Sequence, residues 1–123
     1  MKTMIFIMLV TCTSVSANAQ AQHFKWKGTL HLDSPTDMFF DFRNDTCEAI
    51  KVQDNESVET MIFSMTDTLL TLKKIDGQSN CDDAAIGKYK LEKKDNGILI
   101  TLISDDCTDR SDALDNTIWT KEQ

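Results

Sequence analysis

Apolar and polar residues alternate along most of this chain, in short runs separated by turn residues. Phe24, Trp26, Gly28, Leu30 and Leu32 fall on every second position, with Lys25, Lys27, Thr29 and His31 between them. A period of two marks a strand with one buried and one solvated face. The pattern recurs at Met38, Phe40 and Phe42, against Phe39, Asp41 and Arg43, and at Met61, Phe63 and Met65, against Thr60, Ile62 and Ser64. Weaker runs cover 46–53, 69–75, 86–93, 98–104 and 117–121. Between them lie turn sequences: Ser34-Pro35-Thr36-Asp37, Asn44-Asp45, Asp54-Asn55-Glu56, Thr66-Asp67 and the loop 76–80. Pro presets φ in such turns, and Asn and Asp side chains bond their own backbone.

Asn96-Gly97, between two apolar-patterned runs, is the strongest short-range hairpin signal, because both residues tolerate positive φ. With Asn96 and Gly97 as the central pair, residue 95 faces 98, 89 faces 104 and 86 faces 107. That register brings Cys81 within one turn of chain of Cys107 and predicts a disulfide between them. Alternation stops between Ser104 and Leu114, where Asp105 or Asp106 is placed to cap a short helix. On that helix Cys107, Arg110 and Leu114 share one face, at i, i+3 and i+7. Eight strands in sequential order, one short helix and tight turns predict an all-β fold, a small antiparallel up-and-down β-barrel with its helix before the last strand. Closing the barrel removes the edges that an open sheet exposes.

The N-terminus has a different character. Lys2, the apolar run from Met4 to Val10 and Ala17-Asn18-Ala19 follow the order of a secretory signal, which predicts a signal peptide over 1–19 and a single domain over 20–123. Cleavage after Ala21 fits almost as well, and Cys12 in Leu9-Val10-Thr11-Cys12 offers lipid anchoring as an alternative. The apolar run is too short for a transmembrane anchor. Export predicts a periplasmic or extracellular protein, where a disulfide persists. The chain carries 20 acidic and 13 basic side chains, a net charge of −7, and this argues against a nucleic acid partner. Of the four cysteines, removal of the signal leaves Cys47, Cys81 and Cys107, one more than a single bridge uses.

The segment GKYKLEKKDNGILITLISDDCTDRSDALDNTIW, residues 87–119, resembles a group of small secreted bacterial lipocalin-like domains. In that group a cysteine precedes a Gly-x-Tyr strand, and a D-x-C-x-x-R segment leads to a C-terminal tryptophan. Here Cys81 stands before Gly87-Lys88-Tyr89. Asp105, Cys107 and Arg110 supply the second element, and Trp119 the last. The resemblance implies a barrel of the calycin type, in which Arg110 packs against Trp26 or Trp119 to close one end. It carries no particular activity with it.

Candidate chemistry is sparse. Met38, Phe40, Phe42, Met61, Phe63, Met65 and Tyr89 are the candidate lining for a small apolar or amphipathic ligand, since Met and aromatic side chains suit an adaptable cavity. An eight-stranded barrel is just wide enough to be filled by side chains or to hold one small molecule, and large side chains in so short a chain favour filling. No catalytic residue is assigned: His23 and His31 sit in no motif that activates a nucleophile. No metal and no cofactor are expected, because the aspartates at 105, 106, 109 and 112 lack the spacing of a calcium loop and instead suit a salt bridge to Arg110. Two functions follow. One is an exported, non-enzymatic barrel that binds a small apolar ligand. The other is a filled barrel acting through its surface as an inhibitor, adaptor or envelope module toward a protein partner, with Phe39 and Ile62 as its apolar outer positions.

Overall fold

The computed structural model describes residues 23–122, so the expected signal peptide, with Lys2 and Cys12, lies outside the described residues. Eight strands follow in order: β1 (His23–His31), β2 (Pro35–Arg43), β3 (Thr46–Lys51), β4 (Ser57–Met65), β5 (Leu69–Gly77), β6 (Ile86–Lys94), β7 (Gly97–Asp105) and β8 (Thr117–Glu122). One helix, α1 (Thr108–Leu114), stands between β7 and β8. Each strand pairs antiparallel with its neighbour in sequence, and β8 closes on β1. The expected all-β barrel with its helix before the last strand is the fold observed. Register shifts at Ala49/Ile50, Thr60/Met61 and Lys88/Tyr89 add the local twist that closing a small barrel demands.

Three local details differ from the sequence reading. Pro35 does not lie in a turn. It opens β2 opposite His31, a first-strand position where a missing N–H costs no ladder bond. In the β6–β7 hairpin Lys94 pairs with Gly97, so the two loop residues are Asp95 and Asn96. Gly97 is instead the first strand residue, with φ of 142°, and a Cβ there would meet the Trp119 carbonyl oxygen at 2.5 Å. Glycine is required for that close approach by β8. Finally, the N-cap of α1 is Cys107, with no side-chain cap bond, because Asp105 is drawn inward by other partners.

The interior has two unlike halves. At the end carrying the 44–45, 66–68 and 95–96 turns, aromatic rings form a plug. Phe24 stacks on Phe42 at 4.6 Å, and Trp26 and Phe63 meet Phe42 edge-on at 5.0 and 4.8 Å. Halfway along the barrel, Phe40 stacks on Trp119 at 4.2 Å. Gly28 makes room for that indole: a Cβ on it would lie 2.4 Å from the Trp119 ring. Beyond the Phe40–Trp119 pair the interior opens toward α1. Cys47 is buried on β3 and unbridged, and burial, helped by Asp41 and Glu48, pushes its thiol well above the ordinary range. A thiol so shielded is a small apolar core group, not a nucleophile.

Candidate functional site

At the far end, the barrel wall changes composition. β8 pairs with β7 only over Ile98 to Ile100, so the rest of β7 has no strand neighbour on that side. The helix fills the gap. Asp115, just past its end, accepts from the Leu102 N–H at 2.8 Å, and the Asn116 N–H donates to the Ile100 carbonyl at 2.7 Å. Two of the backbone groups released by the short β8 are thus satisfied. Arg110, Ala113 and Leu114 then face the interior from α1.

Arg110 is the keystone of this end. Its Nε donates to Asp105 Oδ2 at 2.7 Å, and its Nη2 donates to Asp105 Oδ1 at 2.8 Å and to the Ala85 carbonyl at 3.0 Å. The Tyr89 hydroxyl donates a short bond to Asp105 Oδ2, and the Cys107 N–H donates to Oδ1 at 2.8 Å. Gly87 lies under this cluster, where a Cβ would be 2.3 Å from Asp105 Oδ2. Burial pushes the Asp105 carboxyl up, but bonds from Arg110, Tyr89 and the Cys107 N–H outweigh it and hold the group below the usual carboxylate range. Burial, then the bond to Asp105, pushes the Tyr89 phenol far above its ordinary value, so it stays protonated as a donor. Sequence reasoning expected Arg110 against Trp26 or Trp119. Its charge is engaged by Asp105, as the acidic cluster suggested, and the cation–π pair found among the described residues is Lys25 over Phe39 at 4.9 Å.

Cys81 and Cys107 are bridged, as expected, with Cα atoms 5.2 Å apart. The bridge ties the β5–β6 loop to the start of α1. Asn80 Nδ2 donates to Asp109 Oδ2 at 3.0 Å and adds a second tie. Replacing Cys107 by Ser is expected to cost about 3.5 kcal/mol in the chain-entropy picture, for a sequence separation of 26. Thermal unfolding with and without reductant measures it; an unchanged midpoint in the reduced protein would show that hydrogen bonds alone hold the helix.

These elements enclose a cup of about 640 Å³, open to solvent. Phe40, Ala49, Met61 and Leu72 form its floor, Leu30, Val58 and Leu114 its apolar sides. Its rim comes from the β1–β2 turn (His31, Asp33), from Lys51, from the 78–80 loop and from Asp109 and Asp112 on α1. Of the seven residues expected to line a cavity, Phe40 and Met61 do so here. Met38, Phe42 and Tyr89 are fully buried in the core. Phe63 and Met65 lie at the opposite end, beside a hollow of about 370 Å³. The interior is therefore neither wholly filled nor wholly hollow.

Among the cup residues that escaped sequence reasoning, one is both charged and buried. Glu59 is on the inward phase of β4 with Met61 and Phe63, and is 8 % exposed. Its Oε1 accepts the Ser79 N–H at 3.1 Å and its Oε2 the Ser79 hydroxyl at 2.6 Å. Gly77, paired opposite, has φ of 140°, and a Cβ there would lie 2.4 Å from Oε1. The backbone has made space for this carboxylate. A polar residue in phase with apolar ones was the available signal.

Among the described residues no three His, Cys, Asp or Glu side chains gather as a metal site, and no helix is long and apolar enough to cross a membrane. Comparison with protein-family models, with curated proteins and with solved structures finds no match.

Proposed function

We propose that this chain is an exported, non-enzymatic, lipocalin-like barrel that carries one small apolar or amphipathic molecule in the cup beside α1. The carrying observation is the cup itself. Its volume of about 640 Å³ is that of a small-molecule pocket, with an apolar floor beneath a polar rim. The Cys81–Cys107 bridge and the sequence pattern of 1–19 support export to an oxidising compartment. The C-terminal Asp105, Cys107, Arg110 and Trp119 motif supports the lipocalin-like reading. Asp105 bonds both Cys107 and Arg110, Arg110 borders the cup, and Trp119 stacks on Phe40 of its floor.

Native mass spectrometry of protein purified from its host tests the reading, with a co-purifying small molecule as the expected result. Ala49→Phe provides a second test. Ala49 is buried on the cup floor, opposite Phe40 on one side and Glu59 on the other, so a ring there fills the space that a ligand would take. The variant is expected to weaken ligand binding by about tenfold or more while retaining the folded circular dichroism spectrum. Unchanged affinity would move the ligand out of the cup.

A second reading rests on the outer surface. Ile62 and Ile86, 43 % and 41 % exposed, flank Lys73 in one row across β4, β5 and β6. Such a row suits a protein partner. A bare barrel isolated in complex with another protein would favour this reading. Phe39, the other outer position, is partly covered by Lys25.

A further inference from the structure

We infer that the cup prefers amphiphiles whose polar end is a cation, such as an aliphatic ammonium, with Glu59 as counter-ion; this rests on the ligand-carrying reading above. Glu59 is a buried carboxylate in the cup wall whose hydrogen bonds among the described residues come only from Ser79, which leaves one lone-pair position on each oxygen. No ion pair reaches it among the described residues. The cations around the cup are committed elsewhere. Lys74, opposite Met61 on β5, donates to the Ser79 and Cys81 carbonyls at 2.7 and 3.3 Å. Lys51 faces Glu56 at 3.7 Å. Arg110 is neutralised by Asp105, and its unpartnered Nη1 has no exposed surface to offer an anion.

A buried charge ordinarily has a partner of opposite sign. Asp33, Asp109 and Asp112 on the rim add negative charge around the same opening. The field inside the cup is therefore negative, and low-dielectric walls strengthen it. An ammonium entering with its chain over Phe40, Met61 and Leu72 would reach the Glu59 side of the cup and supply the missing charge. A carboxylate or sulfate head would meet repulsion there, and an alcohol would gain only a neutral hydrogen bond. The glycine at 77 and the small Ala49 on either side of Glu59 keep this wall open.

Calorimetric titration of the purified, oxidised protein with decylammonium, decanol and decanoate tests the preference. The ammonium is expected to bind about tenfold more tightly than the alcohol, with decanoate weakest. Glu59→Gln, which keeps the shape of the side chain, is expected to remove that advantage, so that the ratio of ammonium to decanol affinity falls from about tenfold to about one. Decanol binding with no ammonium advantage in the unsubstituted protein overturns the inference and leaves the ligand-carrying reading intact. An advantage that survives in Glu59→Gln also overturns it. If none of the three binds, the ligand-carrying reading itself fails.

Discussion

Arg110→Ala is expected to destabilise the protein by about 3–5 kcal/mol, the cost of leaving a buried carboxylate without its partner. The guanidinium makes two bonds to Asp105 and one to the Ala85 carbonyl, and the Asp105 side chain has no exposed surface. Truncation strands that carboxylate with only Tyr89 and the Cys107 N–H as donors. It also removes the bond from α1 to the Ala85 carbonyl, which leaves the Cys81–Cys107 bridge and the Asn80–Asp109 bond to tie the helix to the β5–β6 loop. Urea unfolding measures the loss, and Asp105→Asn separates charge from geometry. In the unsubstituted protein Asp105 has a folded pKa below its unfolded value near 3.9. Its contribution is present above about pH 4 and is lost as pH falls through the folded pKa. Asp105→Asn should flatten that part of the stability profile. A profile in the variant that still falls as steeply would assign the acid sensitivity to other carboxylates.

Why the strands were legible and the cup was not is a matter of what alternation encodes. A period of two separates inward from outward positions, and that placed Trp26, Phe40, Phe42, Met61 and Tyr89 inside without further information. It says nothing about height along the barrel axis. Met38, Phe42 and Tyr89 share the inward phase with Phe40, yet Phe40 alone of these four borders the cup. Phe63 and Met65 end near the opposite turns because β4 runs from the cup toward the 66–68 turn. Height depends on strand stagger, and three register shifts that no short motif announces set that stagger. The cup rim is harder still, since its residues come from loops and a helix far apart in the chain.

The disulfide survived an error in the hairpin register, and the reason is instructive. Moving the turn to Asp95-Asn96 shifts the pairing one way, and the extra residue at the Lys88/Tyr89 shift recovers part of it. Gly87 then faces Asp105, and the Asp106 N–H donates to the Ile86 carbonyl at 3.2 Å. The chain leading back to Cys81 therefore still arrives beside Cys107. Arg110 was tied to the acidic cluster from charge alone, whereas the surroundings of Trp119 follow from packing. Trp119 is occupied by Phe40 on one face and pressed against Gly28, and neither contact is local in sequence.

Trp119→Ala is expected to cost about 3–5 kcal/mol, the range for removing a large aromatic side chain from a core. The indole is wholly buried, stacks on Phe40 and donates from Nε1 to Thr117 Oγ1 at 2.7 Å. Gly28 cannot fill the void, because it has no side chain, and β1 and β8 are already paired at that level. The loss should appear as a drop in thermal midpoint of more than about 10 °C for a domain of this size. Trp119→Phe should recover most of it, since stacking on Phe40 survives and only the bond to Thr117 is lost. The variant has a functional signature as well. Phe40 and Trp119 together form the partition between the aromatic plug and the cup, so deleting the indole deepens the cup from below. A longer-chain amphiphile should then gain affinity relative to a shorter one in Trp119→Ala. The same chain-length dependence in both proteins would mean that ligand never reaches the Phe40 floor.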